Sequence, residues 1–284
     1  EDTQSSVPVV DPAEPVKLSG SGVSSLMSCT LAWFLSHEAG GSTGTTSAQG
    51  FGSVIHALAA DVVRRGGPAD APAMQERLDE AWRQLEFAAP WVRERERRAG
   101  HDAIERFARW HAANPRLALR VEHPFTAELV IDGTTVVLRG YMDRVELDAD
   151  GPVHVIDFKT NKTPPAARDI ALYPQLGFYQ LAVEHGAVAD LVGDAPSGGA
   201  ELVQLRNDDG NNGLPKVQRQ PPPPADEPFF VLGQVAESLR TIGEEDFRAT
   251  PSKNACQYCE FSAACPAQPQ GAPTVGRRDA GESA

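Results

Sequence analysis

A chain of 284 residues has material for one large domain, or a core with an appended lobe, and its formal net charge of -13 argues against a bare nucleic-acid coat protein. Any polyanionic partner would have to meet a local basic groove or bound metal. Four cysteines exclude a disulfide scaffold, no stretch reads as a signal peptide, and no apolar run approaches a membrane span, so a soluble protein of the reducing cytoplasm is expected.

In chain order, residues 1–16 are polar, proline-containing and without period, which predicts a linker. Leu18-Ser-Gly-Ser-Gly-Val23 leads into one apolar helix through Leu26, Cys29, Trp33 and Phe34, stopped by Gly40-Gly41. After a small-residue loop, a second helix runs from Phe51 to Arg65 on the stripe Phe51, Ile55, Leu58, Ala59 and Val62. His56 lies off the centre of that stripe, one turn beyond Gly52, where backbone or ligand can approach. Two helices broken near Pro90 fill 73–113, and the run Arg93-Glu-Arg-Glu-Arg-Arg98 reads as a solvated helical face rather than a nucleic-acid patch.

Strands follow at 123–131, 134–147 and 153–159, the first pair joined by an Asp132-Gly133 turn. A proline-bearing loop, 162–168, precedes a helix from Ile170 to His185 on which Gln175 and Tyr179 share a face. Leu202–Leu205 reads as a short strand, 207–228 as an exposed or disordered excursion, and 229–242 as a helix. The tail from Ala267 is disordered by composition, so the domain spans 17–267 with a disordered 268–284.

The stretch Gly140-Tyr-Met-Asp-Arg144 and Val153-His-Val-Ile-Asp-Phe-Lys-Thr160 organises the rest. Two-fold alternation puts Asp157 and Lys159 on one strand face, and a tight hairpin brings Asp143 opposite or diagonal to Asp157. Carboxylates that close repel unless a divalent cation lies between them, and Lys159 could then hold a water or stabilise charge on a phosphoryl group. A salt-bridged sheet edge is the other reading of this pattern.

Cys256-x2-Cys259-x5-Cys265 is a compact thiolate set, with Cys29 far upstream as the remaining cysteine. Zinc and iron–sulfur both suit such ligands, and a four-cysteine site would join the first helix to the end of the domain.

Taken together, Leu18-Ser-x-Ser21, Cys29, Trp33-Phe34, Gly52-x3-His56, Gly140-x2-Asp143-Arg144, Asp157-Phe-Lys159-Thr160, Gln175-x3-Tyr179 and the cysteine trio resemble, in order, the nuclease domain of RecB-type helicase–nucleases. More narrowly the set is similar to the iron–sulfur branch of AddB-like and Adn-type enzymes. The resemblance implies an α/β fold with a PD-(D/E)xK restriction-endonuclease-like core, a mixed sheet flanked by helices, plus an extra helical region and an iron–sulfur staple. It implies that His56, Asp143, Asp157 and the Phe158 carbonyl bind Mg2+ or Mn2+, that Lys159 is the catalytic lysine, and that Gln175 and Tyr179 support it. It implies a [4Fe-4S] cluster on Cys29, Cys256, Cys259 and Cys265. One departure is Thr30, where many relatives place proline directly after the first cluster cysteine.

No G-x4-G-K-[ST] phosphate loop occurs in the chain, so it cannot itself couple ATP to unwinding. The linker-like start and Glu1 as first residue favour a module of a helicase–nuclease over a freestanding relative. The expected function is metal-dependent hydrolysis of DNA, exonucleolytic on single-stranded ends, in bacterial double-strand-break repair, with a helicase motor in the same chain or complex and no membrane. The alternatives are a non-catalytic DNA clamp that retains the iron–sulfur fold, and a structural zinc protein.

Overall fold

The computed structural model describes residues 7–11, 14–41, 47–210, 212–257 and 259–271. Its frame is a six-stranded sheet built on β3 (Thr134–Leu147). One edge of β3 pairs antiparallel with β2 (Leu117–Ile131) across a two-residue turn in which Asp132 and Gly133 take φ values of 49° and 80°. Both central residues of such a turn must be left-handed, which an Asp-Gly pair tolerates. The other edge is shared. β1 (Val16–Leu18) runs parallel to Val136–Leu138, and β4 (Val153–Lys159) runs antiparallel to Arg144–Leu147. Between these two partners β3 forks away from β4, and Asp143 lies at the fork. Beyond β4 come β5 (Ser197–Asp208), parallel to it, and β6 (Pro215–Gln220), antiparallel to β5.

Helices cover both faces. On one side α1 (Gly20–Ser28), α6 (Pro174–Glu184) and α8 (Phe230–Gly243) bring Val23, Leu26, Leu176, Phe178, Val231 and Val235 onto Val145, Val153 and Val155. On the other, α3 (Ser47–Arg65), α4 (Ala71–Trp82) and α5 (Pro90–Ala113) bring Phe51, Ile55, Leu78, Trp82 and Phe107 onto Ile156, Phe158, Val203 and Leu205. β4 therefore splits its side chains between two cores, as period two requires for a central strand covered on both faces. Truncating a buried ring such as Phe107 or Phe178 to alanine costs about 3–5 kcal/mol.

Several expectations are corrected. The single helix through Cys29 is two, α1 and α2 (Thr30–His37), because Cys29 is extended at φ -163° and ψ 112°. The break is still hydrogen-bonded: Cys29 donates its N–H to Ser25 and its carbonyl accepts from Trp33. The helix expected from Ile170 begins at Pro174, whose missing N–H suits a first helical position; residues 167–172 form a 3-10 turn instead. The strands expected at 123–131 and 202–205 extend to Leu117–Ile131 and Ser197–Asp208, and Val16–Leu18, read as linker and helix entry, is a strand. The excursion expected at 207–228 contains β6, which buries Gln218 and Gln220 alongside Pro215. Gln218 accepts from Gln204 (3.0 Å), and Gln220 accepts from Gln180 and donates to the Ile170 carbonyl, each at 2.8 Å. Glu96, placed on a solvated face by its charged neighbours, is 8% exposed. Most of the expected disordered tail, 272–284, lies outside the described residues.

Candidate active site

The fork between β3 and β4 gathers the residues singled out by the sequence. Asp157 continues the Val153/Val155 face of β4 but is only 2% exposed, since α6 covers it. Its Oδ1 accepts from Gln175 Nε2 (3.1 Å) and from the Tyr179 hydroxyl (3.2 Å). Its Oδ2 lies 2.7 Å from Lys159 Nζ. Lys159 donates in turn to Gln175 Oε1 (2.8 Å), and Gln175 Nε2 also reaches the Tyr179 oxygen (2.9 Å). The four side chains form a closed circuit. It exists because Gln175 and Tyr179 stand one helical turn apart on α6 and Asp157 and Lys159 stand two apart on β4.

Asp143 reaches across the fork. Its Oδ2 accepts the Phe158 N–H at 2.7 Å, tying the open end of β3 to β4 where ladder pairing has stopped. The same oxygen lies 3.4 Å from His56 Nδ1. His56 comes from α3, and what approaches Gly52 is a side chain rather than the backbone or ligand expected: a methyl added there would lie 3.0 Å from Thr160 Oγ1.

Sequence reasoning missed one residue. The β2/β3 ladder runs without a slip from Ile131/Thr134 to Val121/Arg144, which sets Glu122 directly opposite Asp143. Ligating atoms of His56, Glu122 and Asp143 all lie within 4.8 Å of one another. Glu122 holds φ at +46°, a left-handed conformation that costs roughly 1 kcal/mol for a residue with a Cβ. With Gly52, Ser53, His56, Ala57 and Arg64 it lines an open cleft of about 540 Å³. Asp157 does not belong to that compact trio, because its oxygens are turned to Lys159, Gln175 and Tyr179.

The electrostatics are those of a site with too much negative charge. Burial raises the Glu122 carboxyl above its usual range and Asp143 adds to it, with His56 and Arg64 opposing. Burial likewise raises Asp157; Lys159 works against that rise and Asp143 with it. Burial alone would lower His56, but its hydrogen bond to Asp143 and the charges of Asp143, Asp157 and Glu122 outweigh it and raise the imidazole. Lys159 is also raised, since its pairing with Asp157 overcomes desolvation. Tyr179 is pushed well above the usual phenol range by burial and by Asp157, so it stays a donor. The Glu122 and Asp143 carboxylates with the His56 imidazole are a donor set of oxygen and nitrogen that fits a hard divalent cation.

The fold and the site suit a hydrolytic enzyme that uses a divalent cation. A family model of the PD-(D/E)XK nuclease superfamily matches residues 17–266, and the chain belongs to that superfamily. No curated protein matches the chain. Among the solved structures it is similar to, one described as the crystal structure of SSO0001 shares 13% identity over 90% of this chain and 88% of that one, at a TM-score of 0.43. No helix among the described residues is long and apolar enough to cross a membrane.

Proposed function

We propose that the chain is a deoxyribonuclease that hydrolyses phosphodiesters at single-stranded DNA ends, an exonuclease module of the RecB type acting with an ATP-dependent helicase motor in bacterial double-strand-break repair. The closed Asp157–Lys159–Gln175–Tyr179 circuit carries this reading, because it fixes an ammonium beside a carboxylate on either side of Phe158, whose N–H Asp143 of the cation trio accepts. His56, Asp143 and Glu122, with the Phe158 carbonyl, would hold Mg2+ or Mn2+, and Asp157 would join them on giving up Lys159 or its donors on α6; the bound ion would supply a water of lowered pKa and charge for the scissile phosphate. Lys159, held protonated by Asp157, orients a nucleophilic water or donates to a phosphate oxygen as its charge grows. Gln175 and Tyr179 fix the rotamer of Asp157, and Asp157 with Gln175 fixes the Lys159 ammonium. Linear and circular single strands separate the modes: digestion of linear DNA alone supports an exonuclease, whereas nicking of the circle replaces it with an endonuclease.

The narrower reading, an AddB/Adn-like branch with a structural [4Fe-4S] cluster on Cys29, Cys256, Cys259 and Cys265, rests on the break between α1 and α2. All four cysteines are free and half-buried. The arm leading to the C-terminal trio is hydrogen-bonded to that break: the Arg248 carbonyl accepts from Leu31 N (3.2 Å) and Thr30 Oγ1 (2.8 Å), and Thr250 Oγ1 donates to Ser28 (3.3 Å). Burial would raise the Cys29 thiol, but hydrogen bonds from Thr250, Ala32 and Leu31 outweigh it and favour the thiolate, the ligating form. Thr30, in place of the proline usual in relatives, uses its hydroxyl and leaves the extended Cys29 undisturbed. Anaerobic purification with iron and zinc analysis tests this branch independently of DNA cleavage.

A further inference from the structure

A second surface borders the site. Glu96 of α5, nearly buried, receives three cations from three elements: Arg95 (3.1 Å) and Lys162 (3.1 Å) on Oε1 and Arg206 of β5 on Oε2. Arg206 is 11% exposed and balances the carboxylate from within, with its guanidinium 4.6 Å from the Phe51 ring. Arg95 and Lys162, 56% and 63% exposed, are therefore surplus positive charge at the surface. The Arg95 guanidinium also lies 5.3 Å over the indole of Trp91, which is 66% exposed. The other tryptophans, Trp33, Trp82 and Trp110, are all buried. Lys162 follows Lys159 by three residues, so the patch begins within about 11 Å of the catalytic lysine.

An exposed indole costs solvation that a packing role would have avoided, and Arg95 beside it shares a single Glu96 oxygen with Lys162, on a protein whose formal net charge is -13. Cations spaced along an aromatic platform suit a phosphate backbone with unstacked bases, and a duplex keeps its base faces covered. We propose that Trp91, Arg95 and Lys162 form a track for single-stranded DNA, the indole stacking on a base and the two cations contacting phosphates on the strand that enters the active site. This rests on the nuclease reading for the identity of the strand, and its test needs no cleavage.

The test is intrinsic fluorescence of the whole protein in EDTA, titrated with an oligothymidylate of about 20 nucleotides and with blunt duplex. The single strand should quench the emission, and Trp91→Phe should abolish the quench because the remaining tryptophans are buried. By fluorescence anisotropy, Trp91→Ala should weaken binding about 10-fold, and Arg95→Gln with Lys162→Gln should flatten the log Kd against log salt slope by about 1.4. Far-UV circular dichroism at the binding temperature should match wild type for each variant, although removing Arg95 and Lys162 from Glu96 lowers the melting temperature; the wild-type quench is a readout that no folding defect can imitate. Absence of quenching, or equal quenching by duplex, overturns the track. Quenching in a protein that cleaves nothing with Mg2+ or Mn2+ upholds the track and removes the nuclease reading instead.

Discussion

Glu122 and Asp143 face each other across the β2/β3 ladder, two carboxylates from neighbouring strands whose oxygens share a 4.8 Å group with His56. Cross-strand like charges destabilise a sheet, and Glu122 is also held at a left-handed φ. The repulsion is relieved if a divalent cation occupies the trio. Glu122→Gln should then weaken Mn2+ binding by about 10-fold or more, measured by isothermal titration, while raising the melting temperature of the metal-free protein. Unchanged Mn2+ affinity would show that the trio is not the cation site.

The supporting circuit gives a separate expectation. Gln175 bridges Lys159, Asp157 and Tyr179 without occupying the cleft, so Gln175→Ala should lower the cleavage rate roughly 10- to 1,000-fold while the fold persists. Tyr179→Phe removes one donor to Asp157 and should cost less. Wild-type kinetics in Gln175→Ala would reduce both residues to packing.

Much of this arrangement was legible in the sequence, and the gaps have physical causes. Period two located Asp157 and Lys159, and helical spacing located Gln175 and Tyr179, because those positions sit in strongly patterned elements. Glu122 was within reach: the Asp132-Gly133 turn fixes the register, but the expected strand began at residue 123, one position short. β6 was hidden because Gln218 and Gln220 on its buried side bond Gln204 of β5, Gln180 of α6 and the 3-10 turn, and no apolar alternation marks it. The break at Cys29 leaves no propensity signal, since extended backbone there is set by the contacts of Arg248 and Thr250, more than 200 residues away.

The proposed cluster ties distant parts of the chain. Cys29→Ala should therefore do as much damage as Cys259→Ala: loss of brown colour, a lower melting temperature and loss of activity, although neither residue lies at the fork. A local zinc knot of the C-terminal trio predicts instead that Cys29→Ala is nearly silent and the protein colourless. Metal content and melting of the two variants, side by side, separate them.

The ion cluster at Glu96 makes stability depend on pH. Burial would raise this carboxyl, but Arg206 and Lys162 outweigh it and hold it below its usual range. A depressed folded pKa stabilises above the unfolded value, about 4.3, and the contribution fades as pH falls through the folded value. Melting temperatures of wild type and Glu96→Gln should differ at pH 7 and converge on acidification below about pH 4. A gap that stays constant with pH would mean the ion pairs contribute nothing to stability.

The central claim is that Asp157 and Lys159 act with a divalent cation on DNA, and one assay bears on it most directly. Linear single-stranded DNA is incubated with wild type, Asp157→Ala and Lys159→Ala, in EDTA, Mg2+ and Mn2+, with Mn2+ binding measured on the same samples. Wild type should cleave only with a divalent ion. Asp157→Ala should fall to background, and Lys159→Ala should be equally inactive yet still bind Mn2+, since its role lies in the transition state. Cleavage by Asp157→Ala near the wild-type rate, or by wild type in EDTA, would contradict the account.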